Sequence, residues 1–191
     1  MSLLQRLVLV STAALLVSCT SSWYGHRFVP APIEVELSVE GEPTAQARAL
    51  VSVRGIRRAV PKEQQPVQLE ARMRIENLGE SPVALEEEGL ELVAADLQSF
   101  GRARVTPPPG APIAPGDSVV YDIVFPLPAG KDLKEFDLRG LNLKWVVSFD
   151  GRRTTTGITF ERFVPPRDYY GDPFYPRTHI GVGFVGHFHD D

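Results

Sequence analysis

From Leu141 to Phe149 every second side chain is large and apolar: Leu141, Leu143, Trp145, Val147 and Phe149 alternate with Asn142, Lys144, Val146 and Ser148. A period of two sets one row of side chains on a core and the other toward water, as on a β-strand, whereas a helix needs a period near 3.6. Ile33, Val35, Leu37 and Val39 repeat the pattern against Glu34, Glu36, Ser38 and Glu40. So do Val67, Leu69, Ala71, Met73 and Ile75, whose alternating partners Gln68, Glu70, Arg72, Arg74 and Glu76 are expected to face water. Val119, Tyr121, Ile123 and Phe125 form another such run, stopped by Pro126 and Pro128.

Asp150 and Gly151 follow the Leu141 run at once, and this dipeptide suits the positive φ of a tight hairpin. Thr154 to Phe163 then reads as the partner strand, with Ile158 and Phe160 as core candidates. Leu50 to Ile56 and Leu90 to Val93 read as further strands, and residues 133 to 140 have room for a short helix. The separators "EGEP", "VPKEQQP", "TPPPGAPIAPGD" and "FPLPAGKD" hold many of the 17 prolines and 16 glycines, which favour turns over long helices. Seven to nine strands with no strand-helix-strand rhythm predict an all-β domain, a single antiparallel immunoglobulin-like β-sandwich. The layout of "ARMRIENLGESPVAL", "IAPGDS" and "VVYDIVFPL" is similar to immunoglobulin-like modules of uncharacterised bacterial envelope proteins.

Ahead of the strands, Leu7 to Val17 is an uncharged apolar segment that follows the single basic residue Arg6. It is shorter than the roughly 20 residues a spanning helix needs and suits the core of an export signal. Leu16, Val17 and Ser18 then lead into Cys19, the only cysteine in the chain. These four residues resemble the lipobox of bacterial lipoproteins. The resemblance implies cleavage between Ser18 and Cys19, acylation of the cysteine sulfur and acylation of the new amino group. One buried acyl chain binds a bilayer only marginally, so more than one is needed for a stable anchor. In lipoproteins of this type an aspartate after the cysteine holds the protein at the inner membrane. Thr20 stands there, so the resemblance points to the periplasmic face of the outer membrane. A conventional secretory signal that leaves Cys19 as a free thiol is the alternative.

The expected organisation is a signal peptide at 1–18, a lipidated tether at 19–32, the sandwich at 33–163 and an aromatic, glycine-rich tail at 164–191. Trp23, Tyr24 and Phe28 in the tether are candidates to contact either lipid headgroups or the domain. A formal charge of −4 supplies no basic footprint for nucleic acid. Loss of residues 1–18 removes Arg6 and makes the mature chain one unit more negative, which predicts no overall electrostatic attraction to anionic lipid.

Chemistry is sparse in the strands. Glu86, Glu87 and Glu88 read as a solvated loop, since adjacency does not separate the pKa values of an acid and a base. Gly116, Asp117 and Ser118 read as a turn that opens a strand rather than a nucleophile elbow, which needs glycines on both sides of its serine. His26 lies in the tether, and His179, His187 and His189 lie in the tail. His187 and His189, two apart, would share one side of an extended segment, so with His179 and Asp190 they are candidate Zn²⁺ or Cu²⁺ ligands; the alternative is a solvated polar end. Ile180, Val182 and Phe184 would add a strand to an exposed sheet edge, or the tail's aromatic residues would dock on another envelope component.

Three functions follow as expectations. The first is a non-enzymatic lipoprotein, with a membrane partner through its lipid, an envelope protein partner and no cofactor. The second is a metal-binding protein that uses the tail. The third is an envelope hydrolase that uses loop carboxylates.

Overall fold

The computed structural model describes residues 23–39 and 44–165. Ten strands follow in chain order: β1 (Trp23–Tyr24), β2 (Phe28–Val29), β3 (Ile33–Leu37), β4 (Ala47–Arg57), β5 (Gln68–Asn77), β6 (Val83–Ala94), β7 (Arg104–Thr106), β8 (Ser118–Pro126), β9 (Gly140–Phe149) and β10 (Arg152–Arg162). Two single 3-10 turns, Pro61–Glu63 and Leu133–Glu135, are the helical segments among the described residues. The short helix expected within 133–140 is therefore one turn at its start. No helix among the described residues is long and apolar enough to cross a membrane.

Every strand pair is antiparallel, and the strands form two sheets. One sheet runs β1-β4-β5-β8-β7, with β3 also pairing β4, and the other runs β2-β10-β9-β6. The sheets share one apolar core to which both contribute. The inward rows are the alternating sets of the sequence: Leu69, Ala71, Met73 and Ile75 from β5, Tyr121, Ile123 and Phe125 from β8, and Leu141, Leu143, Trp145, Val147 and Phe149 from β9, all buried. Phe160 is buried as expected, and Ile158 packs partly buried against the core. Asp150 (φ 48°) and Gly151 (φ 81°) make the two-residue hairpin between β9 and β10.

Two features depart from the simple alternation. Gln68 and Glu70 were expected to face water and are buried. They lie on the outer side of their sheet, where Arg104 donates to Gln68 Oε1 at 3.2 Å and Arg57 Nε lies 2.8 Å from Glu70 Oε1. Long arginine stems covering a polar row explain the burial. In β6 the pairing with β9 jumps from Glu86 opposite Val146 to Glu91 opposite Lys144, so residues 87–90 bulge opposite Trp145. Gly89 permits this, because a β-carbon there would stand 2.5 Å from the side chain of Val146.

The segment read as a tether is part of the folded body from Trp23 onward, so of the two contacts expected for its aromatic residues Phe28 makes the one with the domain. β1 pairs with the end of β4, Trp23 opposite Arg57 and Tyr24 opposite Ile56, while β2 pairs with the end of β10, Phe28 opposite Arg162. Residues 23–29 thus run along one sheet, cross the end of the core and join the other. Phe28 enters the core, and this burial holds the crossing in place. No period of two could show this, because each strand is only two residues long.

Candidate functional site

The chain enters β1, leaves β10 and connects β8 to β9 at the same end of the two sheets, here called the entry pole. A cavity of about 390 Å³ opens there between the β1–β2 crossing and the β8–β9 connection. Tyr24, His26 and Arg162 form one side, and Asp132, Leu133, Lys134, Phe136, Asp137 and Arg139 form much of the other. The volume falls within the range of small-molecule clefts, roughly 300–1,000 Å³.

Local hydrogen bonds hold the β8–β9 wall. Asp132 Oδ1 accepts from the Lys134 N–H at 2.9 Å while Glu135 Oε1 accepts from the Asp132 N–H at 2.8 Å, a reciprocal cap on the 3-10 turn. Its signature, Asp132-x-x-Glu135, is present in the sequence. Asp137 Oδ1 accepts from the Arg139 backbone at 3.1 Å, and the Arg139 side chain lies against the same carboxylate at 2.9 Å. Asp96 Oδ2 accepts from the Asp137 N–H at 3.0 Å. Phe136 stacks on Phe100 with ring centroids 4.9 Å apart and anchors the wall in the core.

On the facing wall the Tyr24 and His26 rings lie 6.3 Å apart at 60°, and the guanidinium of Arg58 sits 5.1 Å from the Tyr24 ring centroid. His26 Nδ1 is shielded from solvent and has no hydrogen-bond partner among the described residues. Burial, and secondarily the positive charge of Arg162, hold the His26 pKa below its usual value, so the ring is neutral at pH 7. The Arg139 side chain pulls the Asp137 carboxyl below the ordinary carboxylate range, the opposite of the raised value that suits a general acid at neutral pH. Arg139 is occupied by Asp137, whereas Lys134 and Arg162 make no ion pair among the described residues. The pocket thus presents two unpaired cations, Lys134 and Arg162, beside the carboxylates of Asp132 and Asp137, with the His26 ring as a neutral hydrogen-bonding group and Leu133 and Phe136 as apolar lining.

A smaller hollow of about 170 Å³ lies on the outer side of the β4–β5 sheet, bounded by Glu34, Arg48, Leu50, Arg74 and Glu76. Arg48 pairs across it with Glu34 at 3.4 Å and Glu76 at 2.8 Å, so its charges largely satisfy one another.

Cys19 and the proposed metal ligands His179, His187, His189 and Asp190 lie outside the described residues, as does the segment Ile180–Phe184. Among the described residues no cluster of three or more His, Cys, Asp or Glu is placed to hold a metal ion. Glu86 to Glu88 lie on and beside the β6 bulge, with Glu86 paired to Arg153 and Glu87 to Arg102, and they form no opposed pair over a cleft. Gly116 and Asp117 form a turn that leads into β8 at Ser118, as expected. The pocket itself went unread in the sequence. Its residues come from three separate stretches of the chain, 24–26, 132–139 and 162, and the only local signal was the capping pair around the 3-10 turn.

No family model matches the chain, and no curated protein matches it. Among solved structures it is similar to the yjhA protein of Bacillus subtilis, at 19% identity over 55% of this chain and 77% of that one, with a TM-score of 0.34. It is similar also to the putative ApaA protein of Bordetella pertussis, at 17% identity over 63% and 94% of the two chains, with a TM-score of 0.37. A third similar structure is the structural-genomics target SoR45, at 13% identity over 86% and 96%, with a TM-score of 0.32.

Proposed function

We propose that this protein is a non-enzymatic envelope lipoprotein in which an acylated Cys19 holds an immunoglobulin-like sandwich against a membrane, as a binding or assembly module. The observation that carries the reading is the run Leu16-Val17-Ser18-Cys19 followed, after only Thr20, Ser21 and Ser22, by a strand of the folded body. An extended chain spans at most about 3.6 Å per residue, so the Cα of Cys19 stands within about 14 Å of the Cα of Trp23. An acyl anchor there would hold the entry pole close to the headgroups. The outer membrane, periplasmic face, is the location that Thr20 favours under the lipobox resemblance.

The immunoglobulin-like reading is supported by strand order. If β4 to β10 are lettered A to G, the two sheets run A-B-E-D and G-F-C, the constant-type arrangement. On this reading β1, β2 and β3 are additions at the edges. The binding role is supported by the entry-pole pocket, whose walls are held by the core and by capping rather than by a ligand.

Metabolic labelling with an alkyne-tagged fatty acid, followed by mass spectrometry of the mature amino terminus, tests the anchor. Acyl groups on Cys19 and complete loss of label in Cys19→Ala are expected. A bare sulfur, or equal labelling of the variant, would overturn the reading.

A further inference from the structure

We propose that the entry pole is a bilayer-docking face, at which a lipid phosphate headgroup enters the pocket between Arg162 and Lys134. The proposal rests on the anchored reading above and says which surface meets the membrane.

Charge sorting within the pole is the main argument. Four of its carboxylates, Asp96, Asp132, Glu135 and Asp137, accept main-chain N–H groups, and Glu135 and Asp137 are also paired with Lys131 and Arg139. Glu63 and Glu161 are its remaining acidic groups. Arg27, Arg58, Lys62, Lys134 and Arg162 make no ion pair among the described residues, five cations against the four carboxylates Glu63, Asp96, Asp132 and Glu161 that also make none. The chain as a whole is negative, yet the end nearest Cys19 holds a small excess of unpaired cations, and the electrostatic pull of a membrane surface is felt only over about one Debye length.

Aromatic placement agrees. Trp23 and Tyr24 sit half-buried at the pole, Phe163 is 42% exposed, and Arg27 lies 5.8 Å from the Phe163 ring centroid. Amphipathic rings among cations are the composition of a membrane–water interface. Because the chain between Cys19 and Trp23 is so short, phospholipids of the same leaflet are present at the pocket mouth at high effective concentration.

The test uses the processed protein reconstituted into vesicles of phosphatidylcholine, alone or mixed with phosphatidylglycerol, after mass spectrometry has recorded the state of Cys19. Lipids brominated near the headgroup report contact by quenching Trp23, and a Trp23→Phe variant supplies the background from buried Trp145. Stronger quenching in the anionic vesicles is expected, with the docked-to-undocked ratio falling at least about fivefold for each cation reversed in Arg162→Glu and Lys134→Glu. Added salt should weaken it further, and an unchanged thermal midpoint would show that both variants still fold. Equal quenching in the two vesicle types, or indifference to both reversals, would overturn the proposal. So would inorganic phosphate shifting the His26 resonances while headgroups do not, because the pocket would then serve a soluble anion. If Cys19 proves bare, the anchor reading fails by itself, and co-sedimentation of that unacylated chain with anionic vesicles still decides the docking face.

Discussion

The indole of Trp23 lies against Gly55, so a β-carbon added at position 55 would stand 3.3 Å from Trp23 Cε3. Gly55 has φ 137° at the irregularity where β4 slips against β5 between Val53 and Gly55. Arg57 reaches over the same indole, 5.3 Å from its centroid, while pairing with Glu70. The slip, the bare backbone and the arginine together make the seat for the first strand of the domain.

Gly55→Ala should therefore strain β4 and displace Trp23 together. A loss of about 1–3 kcal/mol is expected, the scale for a residue forced into sparsely populated backbone space. Denaturant unfolding gives the loss, and a changed Trp23 emission spectrum reports the displacement. A variant of unchanged stability and emission would refute the seat.

Asn77 is fully buried, and its side chain is fully engaged: Nδ2 donates to the carbonyls of Ser81 and Ile113, each at 2.9 Å, and Oδ1 accepts from the Gly79 N–H at 3.0 Å. It ties the β5–β6 turn to the loop before β8. Asn77→Leu should cost more than a typical core substitution, because each buried group left without a partner costs about 1–3 kcal/mol. Asn77→Asp should be at least as harmful, since a carboxylate would face two carbonyl oxygens. Chemical denaturation of both variants checks the order.

Trp145 presents the reverse case. It is fully buried at the centre of β9, and its Nε1–H has no hydrogen-bond partner among the described residues. Its contribution is volume rather than polarity. Trp145→Ala should cost about 3–5 kcal/mol by opening a cavity. Trp145→Phe keeps most of the apolar contact, removes the unpaired donor and should cost much less. Equal losses in urea unfolding would mean that the indole N–H has a partner after all.

Acid should weaken the outer side of the β4-β5-β8 sheet. The hydrogen bond from Arg72, at 2.8 Å, lowers the pKa of Asp122, and that from Arg48 lowers the pKa of Glu76. A carboxyl whose folded pKa lies below its unfolded value contributes stability that is present above about pH 4 and is lost as pH falls through the folded value. The effect is small because both pairs are largely solvated. In Asp122→Asn the decline in stability below about pH 4 should be shallower than in the wild type, as measured by urea titration at a series of pH values.

The long strands were legible because they bury one face. Leu141 to Phe149 and Val67 to Ile75 declare their sides by alternation, and the Asp150-Gly151 turn declares its hairpin. Three things were hidden, for different physical reasons. The two-residue strands at Trp23 and Phe28 are too short to carry a period, so their segment reads as a tether. Gln68 and Glu70 are polar residues whose burial depends on arginines from β4 and β7, a relation between strands that no local window contains. The pocket joins Tyr24 and His26 to Leu133 and Arg162 only because both sheets end at one pole.

That common pole also sets which turn lies at the far end of the two sheets. β9 rises about 3.4 Å per residue over its ten residues, so the Asp150-Gly151 hairpin projects roughly 30 Å beyond the end at which the chain arrives and departs. If Cys19 is acylated as proposed, a peptide tag inserted at that hairpin would lie on the side of the two sheets away from the lipid and open to a binding protein in the aqueous space.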